Sequence, residues 1–417
     1  MANGPGQVLR LEVEYGPSHA TIVSSELVDG APLSADAAPE DDSDGVWISV
    51  TDLRGATAFN RILPQPDRPV EVFAEDGSIT RGSGTTGPTR AVVDVPWTGE
   101  DGDITLKSGR PGPAMAIDGG AVSLLSLSMG EARDIGPPVE DLTLDPGLPV
   151  MDLDFGLPHE KAMRLVFLPD GFTTGELPLF HEVVHEFLAT LSQTPPFLDF
   201  PSSLSACRVD LASPTSGVID PIAPGNGAKP VFGATMGKGA LRRVIVVDQQ
   251  DARTAAKRAV GDHRHFIGIV VANTTEYGGS GGDVAVFSRH AGATHIAIHE
   301  LGHSLFGLAD EYSDAGQSST DKPIEPNVAG KPYPHALTWA SGESNQLKWA
   351  SFLTAGVAFP TPPAVSNPAT VGAYEGAKYT TTGIFRPSPI CKMRNISDDF
   401  CRVCQDQISI KLRSHQP

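Results

Sequence analysis

The stretch from Thr294 to Tyr312, T-H-I-A-I-H-E-L-G-H-S-L-F-G-L-A-D-E-Y, constrains this chain more than any other. His299, Glu300 and His303 form H-E-x-x-H, and residues four apart on an α-helix are separated by about 40° of rotation and about 6 Å of rise. Both imidazoles therefore face one point, at the spacing that suits a zinc ion, with Glu300 beside them to handle a proton. Hydrolytic zinc sites take three protein ligands and keep one position open, so a third ligand is required. Ile296, Ile298, Leu301, Leu305 and Leu308 give the helix an apolar side. Gly307, four residues past His303, is placed to cap it in the left-handed region, where a residue without Cβ fits best. The chain can reverse there and return Asp310, the candidate third ligand, or its longer neighbour Glu311.

A second H-E-x-x-H stands at His181, Glu182 and His185. It lies in a run whose Phe180, Val183, Val184, Phe187, Leu188 and Leu191 share one face, which predicts a helix over Glu176 to Ser192. Apart from the adjacent Glu186, no carboxylate or His follows to complete a metal site. These histidines read as the border of a packed helix, and the pentapeptide alone carries little weight.

Upstream, residues from Val8 to about Leu127 read as an all-β module. Leu9, Leu11, Val13 and Tyr15 alternate with Arg10, Glu12 and Glu14. Short strands are expected at Ala20 to Val23, Val46 to Val50, Val70 to Phe73, Arg90 to Val95, Ile104 to Lys107 and Val122 to Leu127, a spacing that suggests a sandwich. No titratable cluster stands out in this half, which is an accessory binding module or a structural appendage. A Pro-, Gly- and Asp-rich linker follows from Gly130 to about Leu157, giving domains 1–155 and 156–417.

Beyond it, strands at Leu165 to Leu168, Ala206 to Leu211, Val244 to Val247, Phe266 to Ala272 and Val284 to Ser288 alternate with helices, one of them at Asp251 to Ala259. The expectation is an α/β (α+β) layer with a mixed or parallel sheet. The glycine-rich Y-G-G-S-G-G before Val284 enters a strand rather than a helix and lacks a following Lys-Ser or Lys-Thr, which argues against phosphate binding. Val284 to Ser288 is either an edge strand that pairs with an extended substrate or an interior strand.

With 417 residues and a formal net charge of -19, the chain lacks the basic clusters of a nucleic-acid binder. No apolar run reaches membrane-span length, and the N-terminus lacks the basic and apolar regions of a signal peptide. Of four cysteines, Cys391, Cys401 and Cys404 lie close together. One disulfide from Cys391 to Cys401 or Cys404 is expected, or none in a cytosolic setting, with Cys207 a buried thiol. A structural zinc site there would need a fourth ligand, for which His415 offers itself.

The order H-E-x-x-H-x-x-x-G-L-x-D-E-Y resembles peptidase family M64, the bacterial immunoglobulin A peptidase family, and differs from the metzincin pattern by one added residue before the glycine. D-G-F at Asp170 to Phe172, Y-G-G-S-G, E-P-N at Glu325 to Asn327, K-W at Lys348 and Trp349, and C-K-M-R followed by F-C-R-V-C resemble that family's landmarks. The resemblance covers most of the chain after residue 160. It implies a zinc endopeptidase of metzincin-like fold with an N-terminal β domain, one catalytic Zn2+ on His299, His303 and Asp310, and Glu300 as general base. The partner is then a protein or peptide bound extended in a cleft, without nucleic acid or membrane, the enzyme being read as a monomer. Met393 resembles the methionine turn beneath the metal, and Tyr379 or Tyr374 is placed to stabilise the oxyanion. The loops from Ser313 to Ile390 are expected to build the pocket walls. Relatives of this type are commonly secreted.

Overall fold

A computed structural model describes residues 7–30, 35–36, 39, 44–85, 88–109, 121–136, 148–156, 159–223, 227–261, 263, 265–314, 318–330 and 347–417. Residues 137–147 of the expected linker, and 315–317 and 331–346 of the expected pocket walls, lie outside the described residues. Over the described residues the protein is a mixed α/β structure of several sheets and few helices.

The chain divides into two compact units. The first comprises Met1–Arg68, Thr85–Asp141 and Thr320–Glu325. One of its sheets orders Ala20–Asp29, Gln7–Tyr15 and Thr89–Pro96, and the other orders Thr57–Leu63, Val46–Thr51, Asp103–Ser108 and Val122–Ser128, with antiparallel neighbours throughout. The period-two pattern decides the faces. Leu9, Leu11 and Val13 join Ile48, Val50, Ile104 and Leu106 in one core. On the opposite face Arg10 meets Asp94 and Glu14 meets Arg90, each pair directly across the strands, where opposite charges attract. Gly130, read as the start of the linker, instead lies in a short helix, Met129–Asp134. Ser128 and Glu131 form a capping box at its start, and Met129 and Ala132 are buried in the same core.

The second unit comprises Pro69–Gly84, Leu142–Ser319 and Pro326–Pro417. Its main sheet runs in the order Val150–Gly156, Leu204–Val209, Met163–Asp170, Phe266–Ala272, Val284–Ser288 and Gly279–Ser280. The four inner strands are parallel and the two outer pairings antiparallel. Parallel strands buried on both faces need apolar residues at successive positions, and Leu165 to Leu168 supply them. Leu165 and Phe167 face the cluster that holds the helices Leu177–Gln193 and Thr294–Ser304, while Val166 and Leu168 face the cluster under Gln249–Val260.

One open alternative is decided here and one expectation is corrected. Val284–Ser288 is interior, because Gly279–Ser280 pairs along its outer side. At Val244 to Val247 only Ile245–Val246 is strand, paired with Thr235–Met236 in a two-stranded sheet, with Val244 bridging to Gly279 at the main sheet's edge and Val246 half exposed. Val244 and Ile245 are buried beside the surface Val246, so the apolar run marks a short buried stretch rather than a full strand. The hairpin of Pro69–Phe73 and Ile79–Thr85 lies within the span read as the N-terminal module, yet Pro69–Gly84 clusters with the second unit. Phe73 and Ile79 account for this, since both are buried in that unit's core.

The D-G-F turn has a structural role. Asp170 accepts hydrogen bonds from the backbone N–H of Phe232 and of Ala234, both at 2.9 Å, and so ties the sheet's end to a distant loop. Asp170→Ala would leave both buried donors unpaired, at roughly 2 kcal/mol or more. A drop of that size in unfolding free energy in urea is expected; an unchanged midpoint would remove the role.

Candidate metal centre

The helix Thr294–Ser304 carries H-E-x-x-H with His299, Glu300 and His303 all buried. It ends as its sequence predicts. Gly307 has φ +65, its N–H donates to His303 O at 3.0 Å, and Leu308 N–H donates to Gly302 O at 3.0 Å. Two glycines let the helix sit close to its neighbours. A Cβ at Gly302 would lie 2.7 Å from Met393 Sδ, so Met393 packs directly beneath the helix. A Cβ at Gly281, in the glycine-rich run, would collide with the Glu300 carboxylate. That run therefore makes room for Glu300.

Four buried side chains converge at this helix: Glu71, His299, His303 and Asp310 offer ligand-type atoms all within 4.8 Å of one another. His299 Nδ1 lies 3.1 Å from Lys392 O and His303 Nδ1 lies 2.7 Å from Leu308 O. A carbonyl only accepts, so each Nδ1 carries a proton, and each ring in its neutral form turns the lone pair of Nε2 inward. The two Nε2 atoms are 3.1 Å apart, and Asp310 Oδ1, which has no hydrogen-bond donor, stands 3.1 Å from His303 Nε2 and 3.4 Å from His299 Nε2. Glu71 Oε2 adds a fourth acceptor at 3.4 Å from His299 Nε2 and 3.8 Å from His303 Nε2. Lone pairs crowded together like this, away from water, repel unless a cation sits among them, and the donor set of two imidazoles and two carboxylates suits zinc.

The electrostatics agree. Burial, and then the charge of Asp310, push Glu71 up to about 7. Burial alone would lower the His299 pKa, but the carboxylates of Glu71 and Asp310 hold it well above its usual value. Burial would likewise raise Asp310, which the facing His303 and His299 hold well below the usual carboxylate range. The cluster draws in positive charge.

Asp310 and Glu311 point to different places. Asp310 faces the imidazoles, while Glu311 Oε1 lies 3.2 Å from Cys404 Sγ and accepts from Asn327 Nδ2 at 3.0 Å. Asn327, from E-P-N, also clasps the N–H and the carbonyl of Ala309. Tyr379 reaches the site from a two-residue hairpin turn between Tyr374–Ala377 and Thr380–Arg386. Its hydroxyl donates to Asp310 Oδ2 at 2.5 Å, and Lys378 N–H donates to Asp310 O at 3.0 Å. Both turn residues are left-handed, Lys378 at φ 45 and Tyr379 at φ 65, a conformation that such side chains adopt at a cost and that fits this turn type. Tyr374 does not reach the cluster; its ring lies under Arg386.

Among the described residues the copy at His181 joins no such group. His181 Nε2 bonds Asp210 at 2.8 Å, and Glu182 and His185 are exposed. All four cysteines are free, so the expected disulfide is absent, with Cys391 and Cys404 sulfurs 3.7 Å apart. Glu71 is the residue that sequence reasoning missed. It sits on Pro69–Phe73, whose hairpin is fixed by Ile396 N–H donating to Gly77 O at 2.9 Å and by a bridge between Ser78 and Asn395.

A buried H-E-x-x-H helix with convergent carboxylates makes a candidate metal centre. A sequence model described as IgA Peptidase M64 matches residues 152–367 and 363–412. The chain belongs to this family, and with it to the peptidases. No curated protein matches the chain.

Proposed function

We propose that the protein is a zinc-dependent endopeptidase in which His299, His303 and Asp310 hold the ion and Glu300 serves as general base and acid. The convergence of both Nε2 atoms with Asp310 Oδ1, beside Glu300 on the same helix, supports this most. When bound, zinc supplies a Lewis acid that polarises the scissile carbonyl and makes water more acidic. Glu300 takes the attacking water's proton and delivers it to the leaving amine. Lys392 O and Leu308 O hold the two rings in the tautomer that presents Nε2. In this reading the second unit, which includes Pro69–Gly84 with Glu71, is the metzincin-like catalytic domain, the first unit is a β-sandwich accessory module, and the substrate is an extended protein or peptide segment. Cleavage of a peptide library by the zinc-loaded protein is the test.

Tyr379 is a positioning residue here. With Oδ2 occupied by its hydroxyl, Asp310 can offer only Oδ1 to an ion. Tyr379→Phe is expected to weaken zinc affinity about tenfold, as loss of a partner behind a ligand does. Were kcat alone to fall with affinity unchanged, a role at the oxyanion would replace this one. For Gly281→Ala the added methyl displaces the Glu300 carboxylate, and kcat should drop about tenfold at unchanged zinc content; unimpaired turnover would show that Glu300 needs no such space.

Glu71 favours a second reading. Four protein ligands make a closed site, the hallmark of structural rather than catalytic zinc. A non-catalytic zinc scaffold would look like this, but would have no need of Glu300. We therefore read the arrangement as a resting form from which the Glu71 carboxylate withdraws to admit water and substrate.

A further inference from the structure

We propose that Glu311, Cys391, Cys401 and Cys404 form a second, structural zinc site. The four side chains come from three separate pieces of the second unit: the segment after Gly307, the turn that carries Met393, and the start of the helix Arg402–Ser414. All are buried, and their ligand-type atoms lie within 4.8 Å of one another. The cluster shares no residue with the one around His299. Neighbouring side chains Asp310 and Glu311 project to opposite sides of their segment, one into each cluster.

The spacings fit one tetrahedral ion. With zinc–sulfur bonds of about 2.3 Å and zinc–oxygen bonds of about 2.0 Å, tetrahedral angles place sulfurs about 3.8 Å apart and sulfur about 3.5 Å from oxygen. Cys391 Sγ and Cys404 Sγ are 3.7 Å apart, and Glu311 Oε1 lies 3.2 Å from Cys404 Sγ and 3.8 Å from Cys401 Sγ. Two further observations point to a ligand. Glu311 is fully buried and its Oε2 has no hydrogen-bond partner, a costly arrangement for a carboxylate without a cation. The backbone N–H of Cys401 points at Cys391 Sγ from 3.3 Å, a donor placed to stabilise a thiolate.

A disulfide explains less. It would join two of the three sulfurs and leave the third thiol unused and Glu311 Oε2 still without a hydrogen-bond partner. His415, the fourth ligand that spacing suggested, is held elsewhere, its Nδ1 at 2.7 Å from Lys161 O. Cys401 also lines a pocket with Asp399, Arg402 and Gln405. Binding converts the three thiols to thiolates, releases their protons to solvent and changes no oxidation state.

Such an ion would brace the neighbouring centre from behind. It would fasten Glu311, next to Asp310, to Cys391, next to the Lys392 carbonyl that orients His299, and both to the C-terminal helix. The second site does not depend on whether the protein cleaves peptides.

The test is metal-stripped protein titrated with cobalt(II) alone, alongside zinc counting by native mass spectrometry. Thiolate-to-cobalt charge-transfer bands and intense visible bands of a tetrahedral ion are expected in the wild type. They should persist in His299→Ala/His303→Ala, which should retain one zinc per chain, and vanish in Cys404→Ser. Should the double variant fail to fold, the wild-type cobalt spectrum decides. Cobalt binding without thiolate bands, a double variant that folds but holds no zinc, or an intact mass short by one disulfide's pair of hydrogens would each overturn the proposal.

Discussion

Glu300→Gln is expected to lower kcat for peptide cleavage about 10²- to 10⁴-fold, the range that a positioned general base supplies, while zinc content stays as in the wild type. Glutamine fills the same space against Gly281, so the fold has no reason to change. What goes is the capacity to take a proton from water and return it to the amine. Neither imidazole can substitute, since both Nδ1–H groups are committed to carbonyls. Equal loss of zinc and activity would instead assign Glu300 to holding the site together.

Glu71→Ala should act in the opposite direction. A charge-assisted contact worth about 3 kcal/mol holds the open form near one part in a hundred. Removing the carboxylate should therefore raise kcat/KM about a hundredfold at saturating zinc, and at the same time weaken zinc affinity about 10- to 100-fold through the loss of a donor. The two readouts separate the alternatives. If both activity and affinity fell, Glu71 would be a working ligand; if neither moved, its approach to the imidazoles would have no bearing on the ion.

The parts of this account that rest on local pattern were legible in the sequence. Helix period and the glycine at 307 specify the central helix and its end, and Gly307 takes the expected left-handed conformation. Period-two alternation at Leu9 to Tyr15 fixes which side chains enter the first unit's core. Three things escaped because they depend on where distant segments meet. Glu71 has nothing in its neighbourhood to mark it, and becomes chemically notable only when Phe73 and Ile79 pull its hairpin into the second unit's core. The cysteines suggested pairing with each other, whereas the acidic partner comes from Glu311, a residue weighed only for the first metal. Val284–Ser288 could have been edge or interior by its own composition, and a two-residue strand of glycine and serine, too short to show a pattern, decided it.

The most direct measurement is peptide-library cleavage by zinc-loaded Glu71→Ala, set against the same variant carrying Glu300→Gln. The account predicts cuts at internal peptide bonds that disappear when zinc is stripped, return when it is restored, and are absent from the double variant. Zinc bound in both proteins with no Glu300-dependent cleavage in either would contradict it.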